Sequence, residues 1–63
     1  MENPKITFTR AFCRQNNIKY QIKGPNDALY LFNTNTKKYV QVCYTLLNLS
    51  NDQIAEMIQR FYN

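Results

Sequence analysis

The chain has 63 residues, of which 44% are hydrophobic, and its eight basic and four acidic side chains give a net charge of +4. We expect a single compact domain over 1–63, without a deep enclosed substrate pocket, because so small a domain buries only about 60% of its unfolded surface. The hydrophobic fraction excludes a disordered chain, and no apolar run is long enough for a membrane span.

The first 17 residues admit two predictions. The stretch KITFT alternates with β-branched residues, as an edge strand does. Against this, Phe8 and Phe12 share one helical face, and Thr7 is a candidate N-cap. The Asn pair at 16–17 is suited to end a helix, since Asn tolerates the left-handed conformation. We prefer a helix over 7–16 and keep a strand as the alternative.

The central part of the chain predicts three short antiparallel strands. Residues 18–23 alternate between apolar and polar side chains, 28–32 is almost wholly apolar, and 38–44 alternates again. The segments GPND at 24–27 and NTNTK at 33–37 contain residues that favour turns, so the second and third strands are predicted to form a hairpin.

The last element is the clearest prediction, a helix over 51–62. Ser50 is a good N-cap, and Gln53 completes a capping box with it. Asp52 near the start and Arg60 near the end both suit the helix dipole. One apolar stripe follows the helical repeat and consists of Ile54, Met57, Ile58 and Phe61.

Together these elements predict an α+β fold, a three-stranded antiparallel sheet with two helices on one face in the order α-β-β-β-α. If residues 5–16 form a strand, the order becomes β-β-β-β-α. Double-stranded-RNA-binding domains share the first order but place a basic stretch at the start of the last helix. This chain has SNDQIAE there, so the order assigns no family. The predicted inner residues are Phe8, Phe12, Ile18, Tyr20, Ile22, Leu29, Leu31, Val40, Val42, Ile54, Met57, Ile58 and Phe61.

Side-chain alternation predicts what the uncovered face of the sheet carries. Aliphatic residues of the strands are expected to face the helices, which turns lysines and aromatic rings toward water. Cys43 falls among the outward residues, and Tyr44 falls on the inner side with Val40 and Val42. A shift of one residue in register would invert this assignment. The candidate partner-binding residues are Lys19, Lys23, Tyr30, Phe32, Lys38, Tyr39 and Gln41.

This face has three interpretations. Rings among cations suit single-stranded nucleic acid, because bases stack on the rings and lysines bind phosphates. The same residue types anchor protein interfaces. An ordinary solvated sheet face also carries exposed Tyr and Lys, and lysines on edge strands discourage pairing between molecules.

The chain offers no motif for catalysis or metal binding. It has no His and a single Gly, and its two cysteines, Cys13 and Cys43, lie 30 positions apart, which does not predict a zinc site. Each of the four carboxylates has a structural explanation in the terminus, a turn or the last helix. We therefore expect no enzymatic activity, no metal and no cofactor. The N-terminus lacks the apolar segment of a signal peptide, so we expect a cytoplasmic protein with reduced thiols.

These observations predict a non-catalytic binding protein, a stand-alone regulator or inhibitor that docks on a larger protein, such as one that handles nucleic acid. Asn and Gln account for 14 of the 63 residues, a bias of AT-rich coding sequence that small phage and mobile-element proteins share. The alternative is a small basic nucleic-acid-binding module that uses the open sheet face. A third interpretation is a homodimer formed through that face or through the edge strand 38–44.

Overall fold

The computed structural model describes residues 2–63 and has two helices and three strands. The strands form one antiparallel sheet in the order β1-β2-β3, and residues of both helices pack against one of its faces. The predicted α-β-β-β-α order is confirmed, and the alternative β-β-β-β-α is wrong because the first element is a helix. The elements are α1 (Pro4–Gln15), β1 (Tyr20–Lys23), β2 (Ala28–Asn33), β3 (Lys38–Cys43) and α2 (Asn51–Phe61).

Helix α1 begins three residues earlier than predicted, and its N-cap is Asn3 rather than Thr7. The Asn3 side chain accepts a hydrogen bond from the Lys5 backbone N–H at 2.9 Å. Pro4 occupies the first helical position, where its missing N–H has no cost and its fixed φ suits the helix. The pair Asn-Pro is thus the start signal, and Thr7 lies inside the first turns with its hydroxyl bonded to Glu2 at 3.1 Å.

The predicted end of α1 is confirmed by the backbone of the Asn pair. Asn16 is the C-cap, and Asn17 adopts the left-handed conformation with φ of 56°. The Ile18 N–H donates to the Cys13 carbonyl at 2.8 Å, and the Asn17 N–H donates to the Arg14 carbonyl at 3.3 Å. These two bonds are those of a Schellman motif, which satisfies the free carbonyls of the last turn.

Both predicted turns of the sheet are present and use positive φ angles. Gly24 opens the first with φ of 86°. In the second, the Asn33 side chain accepts from the Asn35 backbone N–H at 2.8 Å, and the Lys37 N–H donates to the Asn33 carbonyl at 2.7 Å. Lys37 completes this turn with φ of 58°. Asn thus supplies the side-chain bonds that its enrichment in turns reflects.

Helix α2 has the capping box that its sequence predicts and ends at Phe61. The Ser50 hydroxyl accepts from the Gln53 backbone N–H at 3.1 Å, and the Gln53 side chain accepts from the Ser50 N–H at 2.9 Å. Ile54 and Ile58 are fully buried. Met57 and Phe61, the other two members of the predicted stripe, pack at the edge of the core.

The core lies between the two helices and the inner face of the sheet. In α1 its buried residues are Ile6, Thr9 and Cys13, whereas the predicted Phe8 and Phe12 are half-buried and pack against the core from the side. The stripe of α1 is therefore rotated relative to the prediction. The buried hydrophobic residues of 2–63 are Ile6, Cys13, Ala28, Leu29, Leu31, Leu46, Ile54 and Ile58.

A β-bulge in β3 changes which of its side chains face the core. Tyr30 is paired with Gln41, but Leu29 is paired with Cys43, so Val42 is an extra residue in the ladder. A bulge sets two residues of one strand against one residue of its neighbour. Val42 and Cys43 consequently both pack against the core, and the prediction that Cys43 faces outward is wrong.

The same bulge explains a second departure from strict alternation, at Tyr44. The predicted inward position of Tyr44 is wrong, because the residue is 71% exposed and its hydroxyl accepts from the Asn26 side chain at 2.7 Å. Val40 pairs with the buried Leu31, which places it on the predicted inner side, yet it remains 38% exposed. The first half of β3 therefore lies at the margin of the core.

Candidate binding surface

The sheet face turned away from the core presents aromatic and basic side chains. Gln21 pairs with Tyr30, and Phe32 pairs with Tyr39, while Leu31 between them is fully buried. None of the outward residues belongs to the core cluster. We call this surface the open face, and it consists of Lys19, Gln21, Lys23, Tyr30, Phe32, Tyr39 and Gln41.

Two lysines lie over rings of β2: Lys23, at the end of β1, and Lys19, just before β1 begins. The Lys23 ammonium is 4.6 Å from the centre of the Tyr30 ring, and the Lys19 ammonium is 5.1 Å from the centre of the Phe32 ring. Each distance is within the range of a cation–π contact, which contributes about 0.5–1 kcal/mol at an exposed site. The contacts also show that these four side chains share one face.

Two of the rings contact each other across β2 and β3. The Phe32 and Tyr39 rings meet edge to face with centres 5.2 Å apart, a favoured aromatic geometry. On the helix side of this cluster, the Tyr62 hydroxyl donates to the Phe32 carbonyl at 3.0 Å. The Phe32 and Tyr39 rings therefore pack against each other, and the Tyr62 bond joins the backbone of β2 to the residue that follows α2.

The open face is positively charged because the acidic side chains lie elsewhere. Glu2 forms an ion pair with Arg10, with Nε and Oε1 2.6 Å apart. The hydrogen bond from this guanidinium lowers the pKa of Glu2, and the carboxylate in turn raises the pKa of Arg10. Glu56 pairs with Arg60 along α2. None of the members of the open face is acidic, so its lysines are not neutralised there.

Lys38 does not lie with the other candidate residues. It pairs with Asn33, one position from the Phe32–Tyr39 pair, and this register assigns it to the same side of the sheet as Val40. The remaining six candidates, Lys19, Lys23, Tyr30, Phe32, Tyr39 and Gln41, share the open face. Their role in binding stays a prediction.

A cleft of about 580 Å³ lies where α1 ends, β1 begins and α2 ends. We call it the end cleft. It adjoins the open face through Lys19 and Phe32, which belong to both. Sequence reasoning missed this cleft because its walls come from segments that are distant in the chain, and no local sequence pattern indicates that these segments pack together. It is lined by Phe12, Asn16, Asn17, Ile18, Lys19, Phe32, Thr34, Ile58, Gln59, Tyr62 and Asn63.

The two cysteines are free thiols in environments that suppress their reactivity. Cys13 is fully buried, and this burial raises the pKa of its thiol to about 11. Burial also raises the pKa of the half-buried Cys43 thiol, although a backbone hydrogen bond with Leu29 opposes the shift. Because the thiolate is the reactive form, both side chains are poor nucleophiles near neutral pH.

Comparisons of the chain with protein-family models, with curated proteins and with solved structures found no match. Within residues 2–63, neither helix has the length and hydrophobicity needed to span a bilayer. In the same part of the chain, no three His, Cys, Asp or Glu side chains lie close enough together to hold a metal ion.

Proposed function

We propose that the protein is a non-catalytic binding protein, a small regulator or inhibitor that docks its open face on an acidic surface of a larger protein. The observation that carries this proposal is the juxtaposition of aromatic rings and unneutralised lysines, represented by Lys19 over Phe32 and Lys23 over Tyr30. Aromatic anchors supply most of the affinity of protein interfaces, and complementary charge accelerates and orients docking.

The arrangement of the rings favours a protein partner over stacked bases. The Tyr30 and Phe32 rings each already have an ammonium group within cation–π distance, and Phe32 also contacts the edge of Tyr39. A base that stacks on either ring competes with these contacts. An acidic protein surface instead pairs with the ammonium groups and leaves the ring contacts in place, which costs less reorganisation.

Capture from a lysate of the source organism tests this proposal when variants of the two sheet faces are compared. The double variant Lys19→Glu/Lys23→Glu reverses the charge of the open face, and Lys38→Glu makes one such charge reversal on the other side of the sheet. Tyr39→Ala removes an anchor that is 39% exposed. Each protein is immobilised, exposed to lysate with and without nuclease, and the retained proteins are quantified.

We expect a nuclease-resistant protein partner that wild type and Lys38→Glu retain equally. Loss of this partner in the double variant and at least a tenfold weaker affinity in Tyr39→Ala are the expected results for residues that anchor an interface. Circular dichroism and urea unfolding establish that each variant is folded. Full retention by folded open-face variants would contradict the proposal.

A second candidate function is single-stranded nucleic-acid binding, favoured by the same pairing of lysines with rings on one face. Fluorescence anisotropy with a labelled 20-nucleotide thymidine strand tests it. If Lys19 and Lys23 each neutralise one phosphate, affinity falls about sevenfold between 50 and 200 mM salt, since log K changes by roughly −0.7 per contact and per tenfold change in salt. Binding that is independent of salt or of both lysines would reject this candidate.

A further inference from the structure

The end cleft has the size and lining of a small-molecule site. Its volume of about 580 Å³ falls within the range of about 300–1,000 Å³ that is usual for ligand pockets. The half-buried Phe12 and Ile18 supply apolar surface inside it. Phe12 offers an aromatic ring for a planar group to pack against. A ligand with an apolar, planar body fits this lining.

The side chains that line the cleft carry one charge, and that charge is positive. Among the lining residues in the described part of the chain, Lys19 has the only ionised side chain. The others are amides, such as those of Asn16 and Gln59, and the hydroxyls of Thr34 and Tyr62. The ammonium group therefore selects an anionic substituent, and the neutral amides and hydroxyls can hydrogen-bond to it without opposing its charge.

The walls of the cleft are held by hydrogen bonds that do not involve a ligand. The Tyr62 hydroxyl donates to the Phe32 carbonyl at 3.0 Å, which joins the end of α2 to β2. The Asn16 side chain donates to the Phe12 carbonyl at 2.8 Å, which fixes the rim at the end of α1. Lys19 is positioned by its contact with the Phe32 ring. The site is thus formed before a ligand binds, so binding loses little conformational entropy in the protein.

We propose that the end cleft binds a small organic anion, an aromatic carboxylate or sulfonate, with its ring system against Phe12 and Ile18 and its charged group at Lys19. This inference goes beyond the proposed docking function and does not depend on it. A protein that binds its partner through the open face and a small anion at the adjoining cleft has two separable sites that share Lys19.

The dye 8-anilinonaphthalene-1-sulfonate tests the proposal, because it combines a planar apolar body with a sulfonate and fluoresces when bound in an apolar site. Its uncharged analogue N-phenyl-1-naphthylamine probes the apolar lining alone. Thr34→Trp places a large side chain at the cleft, and Thr36→Trp makes the same change at an exposed position of the same turn. Lys19→Gln removes the positive charge of the cleft, and Lys23→Gln is its match outside the cleft.

We expect saturable binding of one sulfonate dye per wild-type molecule under conditions where the protein is fully folded. Thr34→Trp is expected to weaken both dyes at least tenfold, and Lys19→Gln to weaken only the sulfonate dye, by about tenfold, as for the loss of a charge-assisted hydrogen bond. Thr36→Trp and Lys23→Gln are expected to bind like wild type. Amide chemical-shift changes at Asn16, Asn17 and Thr34 are expected to locate the dye.

Two results would overturn the proposal. One is the absence of saturable binding of the sulfonate dye to folded wild-type protein at millimolar concentration. The other is equal binding by Thr34→Trp and Thr36→Trp, which would place the dye elsewhere. Neither result bears on the open face, whose test uses Tyr39→Ala and partner capture.

Discussion

Cys13 combines a core position with an ionisable group. Its side chain is fully buried on the inner side of α1, and burial raises the pKa of the thiol from 9.0 to about 11. The folded protein thus holds the thiol proton more tightly than the unfolded chain does. This contribution to stability is complete below about pH 9 and is lost as the pH rises through about 11.

We therefore expect the difference in unfolding free energy between wild type and Cys13→Ala to shrink with rising pH. Urea unfolding at pH 8 and pH 10.5 should show wild type losing about 1–2 kcal/mol relative to the variant, since each unit of pKa shift corresponds to about 1.4 kcal/mol. Cys43→Ala is the control, and its half-buried thiol should give a smaller change. A constant difference across this pH range would show that the Cys13 thiol titrates normally in the folded protein.

Lys19 illustrates how one residue connects two surfaces. Its ammonium lies over the Phe32 ring on the open face, and the same side chain lines the end cleft. Neutralising it is expected to affect both proposed sites, whereas Lys23, which contacts Tyr30 alone among the rings, belongs only to the open face. Comparison of these two lysines therefore separates the sites.

Helix α1 has clear signals at its two ends, and its buried stripe differs from the one that its aromatic residues predict. Asn3 and Pro4 start it, and the Schellman motif at Asn16 and Asn17 ends it. Its buried side chains lie along one line, but Phe8 and Phe12 lie beside that line and are only half-buried. Loss of the N-cap is consequently expected to lower the stability of the whole domain.

Asn3→Ala is expected to lower the unfolding free energy by about 1 kcal/mol, because it leaves a backbone N–H of the first turn without its partner. Thr7→Ala is the matched control and is expected to change stability by less than about 0.5 kcal/mol, since Thr7 is exposed. Urea denaturation midpoints with unchanged slopes provide the measurement. A larger loss for Thr7→Ala than for Asn3→Ala would place the helix start at Thr7 instead.

At the scale of the whole molecule, the core is small and partly closed by a segment outside the helices and strands. Leu46 lies between β3 and α2 and is fully buried, and its backbone N–H donates to the Asp27 carbonyl at 3.2 Å. This contact ties the connection before α2 to the turn between β1 and β2. A domain of this length has an unfolding free energy of about 3–9 kcal/mol, so the burial of one core residue contributes a large share of its stability.

Leu46→Ala is expected to lower the unfolding free energy by about 2–5 kcal/mol, the range for removing a fully buried Leu side chain and leaving a cavity. At the lower end of that stability range, such a loss would unfold a substantial fraction of the molecules at 37 °C. The neighbouring Leu47, which is 42% exposed, provides the control, and Leu47→Ala should cost less than about 1 kcal/mol. Equal thermal midpoints for the two variants would contradict the central position of Leu46.

Local chemistry in the amino-acid sequence determined the order of elements, the ends of α2, the end of α1 and both turns. Each depends on residues within a few positions of one another, such as Ser50 with Gln53 or Asn33 with Lys37. The alternation in β1 and β2 was also predictable, because neighbouring side chains of a strand point to opposite faces. That rule is sufficient to place Lys19, Tyr30 and their neighbours on the open face.

Tertiary structure alone decided the bulge in β3, the burial of Leu46 and the existence of the end cleft. The bulge turned Cys43 inward and Tyr44 outward because the pairing register between β3 and β2 shifts by one residue there. The sequence of β3 alone does not indicate that shift. Leu46 lies in a segment without helical or strand periodicity, so only its contacts with distant residues reveal that it is buried. The end cleft forms for the same reason, since packing brings together the ends of two helices that are far apart in the chain.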